Sequence, residues 1–253
     1  MNSTQRTQST AQAATPGHHL VQLLASLGHR HLSDESPCFA ERLGRLFGLA
    51  DTMNLDAALA LRKRDAQQSQ QNTVDSLRQG LAAMRQSLTD QLNASFATRE
   101  SRSAPGLPVP KMDDDSPDVS RYQRFYLARQ RAIVAGIRQQ RLLLRKALAQ
   151  HSPALAQLAE LDTVFESTLS NFVGQSFSVV PIILEKRFDA LWQAHQHAHP
   201  TDAQSPEDWL APGAWLHQFC QDMKRLLLAE LDVRLEPVLG LLDALNQEVT
   251  NNT

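Results

Sequence analysis

Residues 119–165 read VSRYQRFYLARQRAIVAGIRQQRLLLRKALAQHSPALAQLAELDTVF, and this stretch decides the fold. Its first part sets Tyr122, Phe125, Tyr126, Ile133, Ile137, Leu144 and Leu148 at spacings of three, four and seven, which is one face of an α-helix. The pattern breaks at His151-Ser152-Pro153 and resumes through Leu155, Leu158, Leu161, Val164 and Phe165. Serine at an N-cap accepts from an orphan backbone N–H, and proline at the first helical position lacks the N–H that would otherwise go unpaired. The stretch therefore predicts a helix, a tight corner and a second helix.

Working outward, the same start signal recurs at Ser36-Pro37, Ser116-Pro117 and Ser205-Pro206, with almost no strand signal between the copies. Leu outnumbers Val and Ile together, a balance that favours helix over sheet. The expected fold is all-α: an elongated antiparallel bundle of long, partly kinked helices with a small N-terminal helical subdomain. Pro181 falls inside the helix running toward Trp192 and predicts a kink, while Pro237 and Gly240 bend the last helix.

The polar N-terminus, residues 1–16, reads as a disordered tail with no signal-peptide pattern. Residues 17–62 hold three short helical patterns and form the subdomain. Residues 63–100 form one long polar helix with a heptad-like seam of Val74, Leu77, Leu81, Met84, Leu88, Leu92 and Phe96. Residues 101–118 (SRSAPGLPVPKMDDDSPD) combine prolines with an aspartate run and read as a linker. Residues 119–250 then complete the bundle as a second packed unit. The most apolar run, Phe177–Leu184, is followed at once by Glu185, Lys186 and Arg187, so no run approaches the ~18 residues that span a bilayer.

With 42% hydrophobic residues the chain can bury a real core, and its formal net charge of −2 exerts no global pull toward nucleic acid or anionic lipid. Cys38 and Cys220 are far apart and read as reduced thiols. His195, His197 and His199 form HxHxH, but alternate helical residues point ~200° apart and cannot converge on a metal. Asp113-Asp114-Asp115 reads as a solubilising run. No nucleophile elbow, phosphate loop, dinucleotide fingerprint or zinc-protease motif occurs. The expectation is a non-enzyme without metal or cofactor.

Charge is concentrated on one helix. Residues 119–151 carry Arg121, Arg124, Arg129, Arg131, Arg138, Arg141, Arg145 and Lys146 and no acid, with Tyr122 and Tyr126 among them. Arginine beside aromatics suits phosphates and bases. The C-terminal helix is acidic, with Asp222, Glu230, Asp232, Glu236, Asp243 and Glu248, and complements the basic helix within the bundle or across a partner. Arg131, Arg138, Arg141 and Arg145 are the candidate interaction surface, and Leu77, Leu81, Met84 and Leu88 the candidate seam.

Several blocks are similar to a known family: Phe39-Ala40-Glu41-Arg42-Leu43-Gly44, Ala50-Asp51, Leu55-Asp56-Ala57-Ala58-Leu59, Tyr122 through Arg131, Ser152 through Asp162, and Val180-Pro181 with Leu184-Glu185-Lys186-Arg187-Phe188. They resemble an uncharacterised proteobacterial family of roughly 250-residue helical proteins. The resemblance implies genes beside a MotA-like/OmpA-like membrane pair and a coiled-coil protein, a set resembling Zorya-type anti-phage defence systems. It implies a cytoplasmic accessory, held at the inner membrane through a partner without inserting into it. The expected partner is that membrane pair or its coiled-coil companion, acting through protein–protein contacts; a homo-oligomer and nucleic acid bound by helix 119–151 are the alternatives. The resemblance carries no catalytic or binding residues.

Overall fold

A computed structural model of the chain describes residues 15–28, 46, 48–59, 71–97, 106–110, 117–198, 206 and 208–251. Among them are six α-helices and no strand: α1 Pro16–Gly28, α2 Leu49–Leu59, α3 Gln71–Phe96, α4 Val119–His151, α5 Pro153–Ala198 and α6 Trp215–Asn251. A single 3₁₀ turn, Asp208–Leu210, precedes α6. At 1.5 Å per residue, the 46 residues of α5 reach ~69 Å, so the bundle is built of long helices.

The corner between α4 and α5 forms as its sequence dictates. Ser152 is extended, its hydroxyl accepts from the Leu155 N–H at 3.2 Å, and Pro153 is the first helical residue. The other start signals fare differently. α4 begins two residues beyond Pro117, because Asp118 takes the cap: its carboxylate accepts both the N–H and the hydroxyl of Ser120, each at 2.9 Å. Those bonds, the hydroxyl's first, hold the Asp118 carboxyl below the usual carboxylate range. Ser36-Pro37 and Ser205 lie outside the described residues. α5 runs through Pro181 without interruption, and the Pro181 carbonyl accepts from the Gln123 amide at 3.3 Å.

The last helix is the hub. α6 packs against α1, α3, α4 and α5, and around it α1 touches α5, α5 touches α4, and α4 touches α3. Leu216, Phe219, Met223, Leu226, Leu227, Leu231, Leu235 and Leu245 of α6 are all completely buried. Consecutive neighbours run antiparallel, as shown by Gln123 against Glu185 and Arg187 against Asp222. Two helices antiparallel to α5 must be parallel to each other, and α4 and α6 are. At the corner of α5 and α6, the rings of Phe188, Trp192, Trp209, Trp215 and Phe219 interlock at centroid distances between 5.1 and 5.7 Å.

α3 lies against both α4 and α6. Val74, Leu81, Leu88 and Leu92 are buried, and Leu77, Met84 and Phe96 are packed against the core. The approach to α4 is close: a Cβ at Gly136 would stand 3.2 Å from a methyl of Leu88. On either side of residues 101–118, α3 and α4 are neighbours. Part of that stretch is itself docked, since the Leu107 N–H donates to the Ser95 carbonyl at 3.0 Å and its side chain joins the core. Of the region 17–62, the described helices are α1, which packs on α5 and α6, and α2, which packs on α5.

Among the described residues α1 and α3 do not touch each other, and one face of the hub stays exposed. Gln218, Gln221, Arg225, Glu236, Leu239, Gly240, Asp243 and Gln247 of α6 are exposed along this face.

Replacing Leu81 and Leu88 together by serine removes two methyl-rich side chains from the contact of α3 with α4 and α6. Each truncation of a buried leucine costs ~2–5 kcal/mol, so urea denaturation is expected to show a loss of ~4 kcal/mol or more. An unchanged midpoint would place the α3 seam in solvent.

Candidate interaction surface

The polar groups inside the bundle account for part of the basic helix. Glu230 of α6 is wholly buried. Its carboxylate accepts from the Tyr126 hydroxyl, from the Gln130 amide at 2.9 Å, and from the Arg234 guanidinium at 3.3 and 3.4 Å. Burial, with the Glu230 charge beside it, pushes the Tyr126 phenol far above its ordinary range, so Tyr126 is a permanent donor. Arg234 in turn lies 3.6 Å from the centroid of the Phe177 ring on α5, a cation–π contact. Three helices thus share one buried charge.

Arg141 and Arg145 end in a second cluster. The Arg141 Nε donates to Asp162 at 2.8 Å, and the Arg145 Nε donates to the same carboxylate at 2.6 Å. Glu166 lies 2.7 Å from Arg145 and 3.5 Å from Arg141. Burial works against the Arg141 charge, but the hydrogen bond and field of Asp162, with Glu166 beyond, hold its pKa above the ordinary value. The acids that complement these arginines therefore belong to α5. The sequence pointed to the acidic C-terminal helix, but the tight Ser152 corner folds α5 back onto this face of α4 first. Three acids of α6 are used elsewhere: Asp222 pairs with Arg187 at 3.0 Å, Asp232 with Arg85 at 2.8 Å, and Glu230 as above.

The structure thus divides the candidate surface. Arg141 and Arg145 are consumed in the interior, whereas Arg131 and Arg138 are exposed and make no ion pair among the described residues. These two line an open, shallow groove of about 470 Å³ on the outer face of α4, together with Val134, Ala135 and Leu142. Val134 is 42% exposed and Leu142 54%. The apolar members were absent from the sequence reading, although their spacing from Arg131 and Arg138 places them on one helical face. The seam residues lie inward, Leu81 and Leu88 in the core and Leu77 and Met84 against it.

Among the described residues no group of three or more His, Cys, Asp or Glu is placed to hold a metal ion. His195 packs beside Trp192 and Trp215, and His199 and the Asp113–Asp115 run lie outside the described residues. Cys38 does too, while burial pushes the Cys220 thiol up to about 12, so it stays protonated at neutral pH.

The middle of α5 is more exposed than its ends, with Phe172, Val173, Val179 and Ile182 in solvent. Among the described residues α5 is the one helix long and apolar enough to cross a membrane by length and composition, with an 18-residue window of mean hydropathy 1.2. Contiguous apolar runs alone did not reveal it, because serine, glycine and glutamine interrupt them. The same helix carries Leu184, Phe188 and Leu191 into the core and pairs Arg187 with Asp222.

A family model described as "Protein of unknown function (DUF3348)" matches residues 6–247 of the chain. No curated protein and no solved structure shows a significant match.

The interior cluster yields a charge test. Removing one partner of a buried ion pair costs ~3–5 kcal/mol, so Asp162→Ala should lower stability by about that amount. Reversing Arg141 and Arg145 to Glu should be worse, and adding Asp162→Arg with Glu166→Lys should recover part of the loss. Recovery by Glu230→Lys with Glu236→Lys, in chemical denaturation, would instead return the pairing to α6.

Proposed function

The chain belongs to this family of proteins of unknown function, and from that premise we propose that it is a helical protein-interaction subunit whose contact surface is the outer face of α4. The observation that carries this reading is the division of one helix's cations. Arg145 is buried and Arg141 half-buried against Asp162 and Glu166, while Arg131 and Arg138 stand in solvent beside exposed Val134 and Leu142. Exposed arginine with apolar neighbours suits a protein surface of opposite charge, since guanidinium groups pair bidentately with carboxylates and desolvate more readily than ammonium groups. No step of catalysis enters the reading.

The setting comes from the resemblance of the blocks at 39–44, 50–59, 122–131, 152–162 and 180–188. It supports a cytoplasmic accessory of a membrane-motor-associated anti-phage defence system, held at the inner membrane by the MotA-like/OmpA-like pair or its coiled-coil companion. A rigid bundle with one charged, partly apolar face is suited to bridging such components.

The nucleic-acid reading is weaker on this geometry. Tyr122 and Tyr126 are buried in the core, so neither offers a ring for bases to stack upon.

The test is co-purification with the membrane pair and the coiled-coil companion, all expressed from one operon. Wild type should be retained, and the Arg131→Glu, Arg138→Glu double variant should lose at least about tenfold of that retention. Its circular dichroism and melting temperature should be unchanged. Full retention by the double variant would overturn the proposal, as would tight, salt-sensitive binding of wild type to DNA or RNA.

A further inference from the structure

Two exposed units on different helices have matching patterns. On α4 the order is Arg131, Val134, Ala135, Arg138; on α6 it is Glu236, Leu239, Gly240, Asp243. Each is a charge, an apolar residue, a small residue and a second like charge at positions i, i+3, i+4 and i+7. Such residues occupy a single helical face over two turns. The two charges of each unit lie ~10.5 Å apart along the axis, at 1.5 Å per residue. The spacing of the cations therefore equals the spacing of the anions.

Both units are uncovered. Val134 is 42% exposed and Leu239 45%, and nothing lies within 4 Å of where a Cβ at Gly240 would stand. Glu236 and Asp243 make no ion pair among the described residues, unlike Asp222, Glu230 and Asp232 on the same helix. Among the described residues, one basic and one acidic face thus make no ion pair.

The two faces cannot meet within one molecule. α4 presents Tyr126 and Gln130 to α6, and Gln130 borders the groove, while Arg131, Ala135 and Arg138 lie roughly 100–160° further round that helix. On α6, Glu236, Leu239 and Asp243 lie roughly 120–180° round the helix from Glu230, the residue that meets α4.

We infer that the outer face of α4 docks onto the uncovered face of α6 in a second copy of this chain. Arg131 and Arg138 pair with the carboxylates of Glu236 and Asp243. Val134 packs against Leu239, and Ala135 and Gly240 let the two helices approach closely. Because the donor and acceptor faces differ and point to different sides, the contact is heterologous. It repeats head to tail, giving an open chain or a closed ring. The inference rests on the reading of α4 as a contact surface and names the occupant of that surface.

A two-turn helix contact is small, so the association is weak and depends on concentration. Its charge pairs are solvent-exposed and therefore screened by salt.

The experiment is sedimentation velocity on the full chain, up to about 1 mM, at low and high salt. Wild type should associate beyond the dimer, and salt should reverse it. The Arg131→Glu, Arg138→Glu variant should be monomeric, since both of its faces are acidic. The Glu236→Arg, Asp243→Arg variant should be monomeric because both are basic. An equimolar mixture of the two should associate again, as acidic and basic faces now alternate between chains. This restoration cannot arise from misfolding.

A wild type that stays monomeric at every concentration overturns the inference. So does association that survives both reversals, or two monomeric variants that do not associate when mixed. A monomeric wild type that still loses the membrane pair on Arg131 and Arg138 reversal would remove the second copy as occupant and leave the α4 contact surface standing.

Discussion

The buried carboxylate of Glu230 is the constraint on which the arrangement of the long helices depends. An ionised group in an apolar interior costs several kcal/mol unless hydrogen bonds replace its water. Here the replacements come from Tyr126 and Gln130 on α4 and from Arg234 on α6 itself. Arg234 then rests on Phe177 of α5. Sliding α4 by one turn along α6 would move Tyr126 and Gln130 ~5.4 Å away and strand the charge. One carboxylate therefore fixes the register of helices that leucine packing alone would leave interchangeable.

A second fixed point, ~70 residues away in sequence, acts on the other end of α4. Asp162 and Glu166 hold Arg141 and Arg145 beside the Ser152 corner. With the middle and far end of α4 both pinned, the rotation of the helix about its own axis is set. That rotation decides which arginines face solvent. The outer row of Arg131 and Arg138 is thus a consequence of the two interior clusters, and the acids of α6 divide in the same way. Asp222 and Glu230 are bound to partners inside the bundle, Asp232 pairs with Arg85 at its surface, and Glu236 and Asp243 make no ion pair among the described residues.

Much of the fold was legible because helix signals are local. Ser152-Pro153 announced its corner, and the three-and-four spacing named residues such as Leu81, Leu88, Tyr126 and Leu148 that prove buried. Pairing of distant elements was not legible. Nothing near Arg141 in sequence says whether α5 or α6 supplies its carboxylate, since both helices carry acids. The docking of Leu107 against Ser95 was hidden for a related reason: prolines on either side advertise a linker, and one apolar residue with one backbone bond carries the contact. Within the candidate surface, Arg131 and Arg138 drew notice by charge, but Val134, Leu239 and Gly240 look like ordinary core residues until a structure shows them uncovered. The signal that was available is the shared i, i+3, i+4, i+7 pattern of 131–138 and 236–243.

The account turns on the outer face of α4 being a protein contact, occupied by α6 of the next copy. Cysteine cross-linking reads that contact at a single pair of residues. In a background with Cys38→Ser and Cys220→Ala, a chain carrying Val134→Cys is mixed with a chain carrying Leu239→Cys and oxidised. A disulfide needs Cβ atoms within ~4.5 Å. The account predicts a mixed disulfide dimer of the two chains, far exceeding what either forms alone and suppressed by high salt. Cross-linking of the Val134→Cys chain to itself as readily as to its intended partner, or no mixed dimer, would contradict it.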